Sequence, residues 1–487
     1  MENNITYELD VNNIYNFSEN DDYILKKYNL NCVDYTIIKY NKKKLKYYQE
    51  NDYSKFLELS KFRSLIFKDK KLLVYTPPKS IEFNNFFNKY NNVEQCWLED
   101  FIDGTMINLF YDTTNNCWEI STKSSIGGNN VFFNDFKYVN NNVNNNVNNN
   151  VYNNVNNNVN NEFLTFRKMF FEACNINNFN INILPHTYKY TFILQHPANR
   201  IVTPQSYPKI FLLKIYEINE ITDRKYKITE INTLNFVNTP PFVLLNTNIQ
   251  LVNKYKLISY QDLENFYNNN NVPYYSVGIM IYNEDGTRTK IRNKNYEYVR
   301  QLRGNQPKLQ YNYFTLKKEN KIKEYLFYYP EHKQIFNNFK LLMYDYTHKL
   351  FINYIQCFIK KEKPLKEYEF QYKTHMYKLH EIYKNELSKE NKKIDKKKVI
   401  EYVNSLHPAQ QMFVINYGNY NNANTDTNID IDNHNEIDND MDIHNDMGND
   451  NNKMIKNFSI NNFMNNDSNA SSESNFPHDF HDINIEE

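Results

Sequence analysis

The sequence predicts an α+β fold: antiparallel strands through about residue 300, helices after about residue 330, and a C-terminal tail without a core. Three observations carry it. From Arg63 to Asn293, apolar residues fall in short strand-length runs bounded by Asp, Asn and Gly. From Glu331 they recur every three or four residues, the helical period. Beyond Tyr417 they thin out in an Asn/Asp-rich background that cannot bury enough surface to order itself. Strands first and helices later describe an α+β domain followed by an all-α one. A chain of 487 residues with 40 % apolar content can hold two or three domains.

Taken in order, residues 1–54 read as a polar N-terminal segment, with helix-like spacing through Tyr47–Leu59. The strand runs Leu65-Ile66-Phe67 and Leu72–Tyr75 are joined by the turn Lys68-Asp69-Lys70. Met106–Tyr111 and Trp118–Thr122 flank Asp112–Asn116, which is hairpin punctuation. From 139 to 161, valine recurs every fourth residue among asparagines, and this reads as a low-complexity, disordered loop insertion. Glu162–Cys174 is an amphipathic helix with Phe163, Phe166, Phe170 and Ala173 inward. Strands follow at Tyr190–Gln195, Lys209–Glu217, Ser276–Tyr282 and Arg288–Asn293, the last two joined at Glu284-Asp285-Gly286. Helices are expected from Glu331 to about Lys360, from Pro364 to about Leu387, and from Lys396 to before Pro408. The domains are therefore 1–54, 55–318 with the insertion, a helical 319–416, and a disordered acidic tail 417–487.

The zero net charge conceals a division. Residues 418–487 hold 15 acids and 2 lysines, which leaves 55 of 57 basic and 42 of 57 acidic residues, about +13, on the body. A basic body suits a polyanion partner. Five single cysteines with no C-x-x-C pair argue against a zinc site or a disulfide partner, and for a reducing compartment. No apolar run approaches the roughly 18–20 residues that span a bilayer, and the N-terminus lacks a signal-peptide core. The expected location is intracellular: host cytoplasm, or a virion if the protein is viral.

Between residues 60 and 300 the motif order resembles the phage-type RNA ligase 1 family of covalent nucleotidyltransferases. Phe62–Phe67 is similar to R-G-[IL]-x-F, and Lys79 stands near the K-F-F-N lysine. Phe101-Ile102-Asp103-Gly104-Thr105 stands where K-x-D-G-[ST] is expected. Ser121–Ile126 resembles K-S-K-G-S-I, and His196–Val202 resembles S-P-x-N-R-I-V. Val277–Ile281, Asp285-Gly286 and Lys290-Ile291-Arg292 are similar to E-G-x-V-V, D-G and K-x-K. The resemblance implies an antiparallel-sheet nucleotidyltransferase domain. It also implies nucleotide or phosphate contacts at Arg63, Lys79, Asp103, Gly104, Lys123, Asn199, Arg200, Lys290 and Arg292. Asn199 and the Asp103-Gly104 turn would mainly hold the groove's architecture. A second resemblance, to proteins of unassigned role in large DNA viruses, rests on Gly104–Phe110 and Leu302–Tyr311 and carries no chemistry.

The departures point one way. Phe101 replaces the lysine that attacks the nucleotide, Ile193 and Val277 replace glutamates, and a benzyl group has no lone pair with which to attack. Expected, therefore, is an RNA-binding pseudo-ligase with no catalytic residue, no metal and no cofactor. The alternatives are an active ATP- and Mg2+-dependent ligase with a displaced nucleophile, for which Lys123 is the only candidate, or a virion or assembly scaffold. Another ammonium at the cavity floor, ringed by carboxylates able to hold magnesium, would reverse the inactive reading. For RNA, strand alternation would put Arg288, Lys290, Arg292 and Lys294 on one face about 6.6 Å apart. Arg300 and Arg303 would extend that run, and Tyr296, Tyr298, Tyr311 and Tyr313 would stack on bases. His196 reads as an ordinary hydrogen-bonded strand-end residue, and the six lysines of Lys389–Lys398 as a solvated helix end.

Overall fold

The computed structural model describes residues 4–14, 21–133, 164–238 and 247–423, all within the unit Met1–Asp440. The Val/Asn insertion and residues 424–487 of the acidic tail lie outside the described residues. The fold is mixed α+β, with antiparallel sheets and a helical C-terminal part.

The chain opens with β1 (Ile5–Asp10), β2 (Tyr23–Leu30), β3 (Val33–Tyr40), α1 (Lys42–Asn51) and α2 (Tyr53–Ser60). The hairpin of β4 (Leu65–Lys68) and β5 (Lys71–Val74) follows, with Asp69 and Lys70 both at positive φ, as a two-residue primed turn requires. Next come α3 (Phe83–Lys89), β6 (Cys96–Asp100), β7 (Thr105–Asp112), β8 (Cys117–Ser121) and α4 (Phe166–Ile176). After these run β9 (Lys189–Gln195), β10 (Lys209–Thr222), β11 (Lys225–Ile231), α5 (Thr233–Val237), β12 (Gln250–Leu251), β13 (Lys254–Lys256), α6 (Tyr260–Tyr267), β14 (Gly278–Asn283) and β15 (Arg288–Arg292). The helical part comprises α7 (Lys294–Arg303), α8 (Leu309–Lys318), α9 (Ile322–Tyr328), α10 (Lys333–Tyr354), α11 (Phe370–Asn385), α12 (Lys396–Ser405) and α13 (Pro408–Ala423).

The largest sheet runs β1-β11-β10-β9-β7-β8, with β12 added in parallel to β10. Two smaller sheets run β13-β6-β14-β15 and β2-β3-β4-β5. Alternation sorts the large sheet's side chains. Ile107, Leu109, Phe192, Leu194, Ile210 and Leu212 share a core with Phe166 and Phe170 of α4. The intervening positions Asn108, Thr191 and Ile193 fall on the other face, joined there by Lys214 after a bulge between Leu212 and Lys214, and they are also buried.

Three expectations need correction. Residues 1–54 are not only a polar helical segment: the spacing through Tyr47–Leu59 does form α1 and α2, but the segment also supplies β1 to the large sheet and β2 and β3 to a smaller one. Their alternation is masked by Lys, Asn and Tyr at partly buried positions. No packing boundary falls at 318/319, because a single core joins Val277, Tyr296 and Val299 to Phe314, Phe339, Val399 and Val414. The helix expected from Glu331 to about Lys360 is present as α10, closed by a π-helical turn, Ile355–Ile359. Finally, α13 carries helix past Tyr417 to Ala423. Among the described residues no helix is long and apolar enough to cross a membrane.

Candidate nucleotide and nucleic-acid site

The segment from Phe101 to Gly104 links β6, in one of the smaller sheets, to β7 in the large one. Gly104 has φ +145°, and a Cβ there would lie 2.5 Å from the Leu194 carbonyl oxygen, so β9 admits no larger residue. Asp103 is buried and fully employed. One carboxylate oxygen accepts the Val202 and Thr203 amides at 3.1 and 2.9 Å, and the other accepts the Tyr296 hydroxyl at 2.7 Å. The Gln195 side-chain amide donates to the Asp103 carbonyl at 2.7 Å, and that of Asn199 donates to Thr105 Oγ1 at 2.9 Å. Asp103, Gly104 and Asn199 thus brace a turn.

Around that turn Phe101, Ile193 and Val277 are apolar in packing as well as in sequence. Ile193 and Val277 are buried, and Val277 and Phe101 join the core that runs into the helices. The Arg292 guanidinium lies 5.4 Å from the centre of the Phe101 ring, a cation–π contact, and pairs with Glu297. Gly278, opposite Arg292 in the β14–β15 ladder, has φ +138°, and a Cβ there would lie 2.1 Å from the Ile291 carbonyl oxygen. Magnesium needs oxygen ligands. Ile193 and Val277 beside the turn offer none. Among the described residues no cluster of three or more His, Cys, Asp or Glu side chains could hold a metal ion.

The remaining cations divide into two groups. Residues 76–81 form a strap that brings distant positions together. Thr76 Oγ1 donates to the Ser64 carbonyl, the Lys79 amide to that of Ser60, and the Ile81 amide to that of Arg288. Ser64 Oγ in turn donates to the Lys123 carbonyl at 2.8 Å. Arg63, Lys79, Lys123 and β15 with Lys290 therefore adjoin one strap, their four side chains half-buried. The Lys123 ammonium lies 5.5 Å from the Tyr40 ring centre.

The second group is structural. Arg288 is buried with its guanidinium on the Pro77 and Pro78 carbonyls. Arg200 donates to the Val202 and Tyr328 carbonyls, pairs with Glu331 at 2.5 Å, and lies over the Tyr329 ring. Arg300 is buried 3.6 Å from Glu297, and Arg303, 1 % exposed, lies 3.9 Å from the Phe133 ring centre. The expected four-cation ladder therefore does not exist as a solvated face: β15 ends at Arg292, Arg288 turns inward, and Lys294 opens α7. Tyr296, Tyr311 and Tyr313 are core residues, and only Tyr298 of the four expected stacking rings is exposed. Burial takes precedence over period here, because these rings fill the seam between sheets and helices.

Sequence reasoning missed Lys214. Its ammonium is buried 3.1 Å from Glu99 Oε1 and 2.7 Å from Glu230 Oε1, and 4.3 Å from the Tyr282 ring centre. The Tyr7 hydroxyl donates to Glu230, and the Trp97 indole N–H to Glu99. This is a second ammonium, and it is ringed by acids. Burial alone would depress its pKa, but the attraction of Glu230 and Glu99 outweighs burial and raises it. The signal was present as a lysine inside the apolar run Ile210–Ile215. His196 ends β9. Its Nδ1 accepts the Ala198 amide, its Nε2 lies 3.3 Å from Glu172, and burial lowers its pKa. No protein-family model matches the chain, and no curated protein matches it.

Proposed function

We propose that this protein is a degenerate RNA ligase-like protein that binds RNA and has lost lysine-dependent self-adenylylation. The observation that carries this reading is the contact of Phe101 with Arg292 beside buried Ile193 and Val277. Where a covalent nucleotide would be accepted there is a ring, and where carboxylates would organise a metal there are branched alkyl groups. Apolar replacements pack at such a site, whereas isolated buried charges are costly. The half-buried cations Arg63, Lys79 and Lys290 beside the 76–81 strap supply the phosphate contacts, with the buried Lys123 ammonium behind them.

Incubation with α-labelled ATP or GTP, followed by denaturing electrophoresis, tests the loss of chemistry. The expected result is no protein-linked label. An acid-labile label abolished by Lys123→Ala would instead assign an active enzyme with a displaced nucleophile. RNA affinity measured against salt tests the binding half. Lys79→Ala/Lys290→Ala is expected to weaken binding and to lower the salt slope by about 1.4, two phosphates at about 0.7 each for a single strand. Absence of RNA affinity at near-physiological salt, with abundant association with particles, would favour a virion scaffold.

A further inference from the structure

Two neighbouring helices carry the same exposed pair. On α7, Lys294 and Tyr298 stand four residues apart, and on α9, Lys323 and Phe327 do the same, so each cation shares a helix face with an aromatic ring about 6 Å along the axis. All four side chains are exposed, Tyr298 at 47 % and Phe327 at 76 %. The helices are tied at this face, because the Tyr298 hydroxyl donates to Glu324 of α9. That bond fixes the ring and occupies the carboxylate nearest to it. Phe327 packs edge-on against Tyr328 at 5.0 Å between centroids, and Tyr328 likewise against Tyr274. Tyr274 contacts Tyr275, which is 54 % exposed. Neither Lys294 nor Lys323 has an ion-pair partner among the described residues.

Scattered exposed aromatics are ordinary on a protein surface, but exposed rings and cations repeated at one helical offset on two adjoining helices form a specific surface. An apolar protein partner would favour a patch without regularly interposed ammonium groups. Bases offer π-faces to aromatic rings while their phosphates seek cations, and the alternation matches that chemistry. We propose that the α7–α9 face, with Tyr275, binds unpaired polynucleotide by stacking bases on Tyr298 and Phe327 and holding phosphates at Lys294 and Lys323. This rests on the RNA-binding reading and names its substrate class: single-stranded rather than duplex RNA. The face adjoins the braced turn, since the Thr203 hydroxyl donates to the Tyr275 carbonyl and the Thr203 amide is held by Asp103.

The test uses the full chain and a fluorescein-labelled 12-nucleotide RNA of mixed sequence, alone or annealed to its complement, with the matching DNA strand in parallel. The wild type is expected to bind the single strand at least about tenfold more tightly than the duplex. Tyr298→Ala/Phe327→Ala should weaken single-strand binding by about 10-fold or more and leave duplex binding unchanged, each stacked base being worth roughly 1–3 kcal/mol. Both rings are exposed, so the fold is retained, and circular dichroism checks this. Lys294→Ala/Lys323→Ala should lower the salt slope for the single strand by about 1.4. Equal weakening on the DNA strand supports stacking as the contact. Single-strand binding insensitive to the aromatic variant overturns this face while leaving RNA binding in place, whereas no binding to any polynucleotide overturns both.

Discussion

The Tyr296 hydroxyl donates to Asp103 Oδ1 at 2.7 Å, tying the turn before β7 to the first helix after β15. The pair is 193 residues apart in sequence and buried. Burial first, and then the Asp103 charge, push the Tyr296 phenol well above its ordinary pKa, so it stays a donor at any working pH. Asp103 also holds two amides of the 202–203 loop, and it therefore joins three parts of the chain.

Removing Asp103 orphans those donors. Asp103→Ala is expected to cost about 3–5 kcal/mol, and Tyr296→Phe about 1–3 kcal/mol, since the latter leaves the carboxylate with both amides. Urea unfolding of the two variants and of the double variant measures their coupling. Additive losses would mean that the pair is not a unit.

Under the proposed function, a lysine introduced at position 101 should not create self-adenylylation. Phe101→Lys would set an ammonium beside the Arg292 guanidinium and remove a ring packed into the helical core. A loss of about 1–3 kcal/mol in stability is expected, with no label taken from ATP, because positions 193 and 277 remain alkyl. A labelled single variant would show that the missing carboxylates are dispensable.

Lys214 should act as a brace between sheets. Lys214→Met strands Glu99 and Glu230 together, and about 3–5 kcal/mol should be lost. Adding Glu99→Gln and Glu230→Gln to Lys214→Met should recover much of that loss. Denaturant midpoints compare the variants, and a triple variant no better than Lys214→Met would show that packing rather than charge balance dominates there.

The helical part should weaken in acid. Burial first, and then Lys378, lower His375 from an ordinary 6.5 to about 4, while its Nδ1 lies 2.7 Å from the Tyr402 hydroxyl. A base whose folded pKa is depressed binds its proton more readily unfolded, so stability is full above pH 6.5 and falls as pH drops towards 4. The total is about 3 kcal/mol. Melting curves across this range should show a shallower decline for His375→Gln than for the wild type, and parallel curves would exclude His375 as the source.

Much of the fold was legible because local signals agreed with it. The β4–β5 turn, the run Tyr190–Gln195 and the helical period from Glu331 each announce their element without help from distant residues. The first 40 residues were illegible for the opposite reason. β1 is a strand because β11 lies beside it, 215 or more residues away, and no local alternation marks it strongly. The site divides in the same way. Absence of an amine at 101 and of carboxylates at 193 and 277 follows from residue identity alone.

Which cations face outward is a different kind of fact. Spacing placed Arg288, Lys290, Arg292 and Lys294 on one face, but the 76–81 strap takes Arg288 inward and α7 takes Lys294 away. By itself the chain determined its class, its strand and helix periods, and which side chains stand at 101, 193 and 277, because these depend on side-chain identity and near neighbours. Tertiary structure alone decided that Lys214 is neutralised, that Arg200 and Arg303 are internal, and that Lys294, Tyr298, Lys323 and Phe327 share a surface. Charge pairing and exposure are properties of packing between segments far apart in sequence, and no local pattern encodes them.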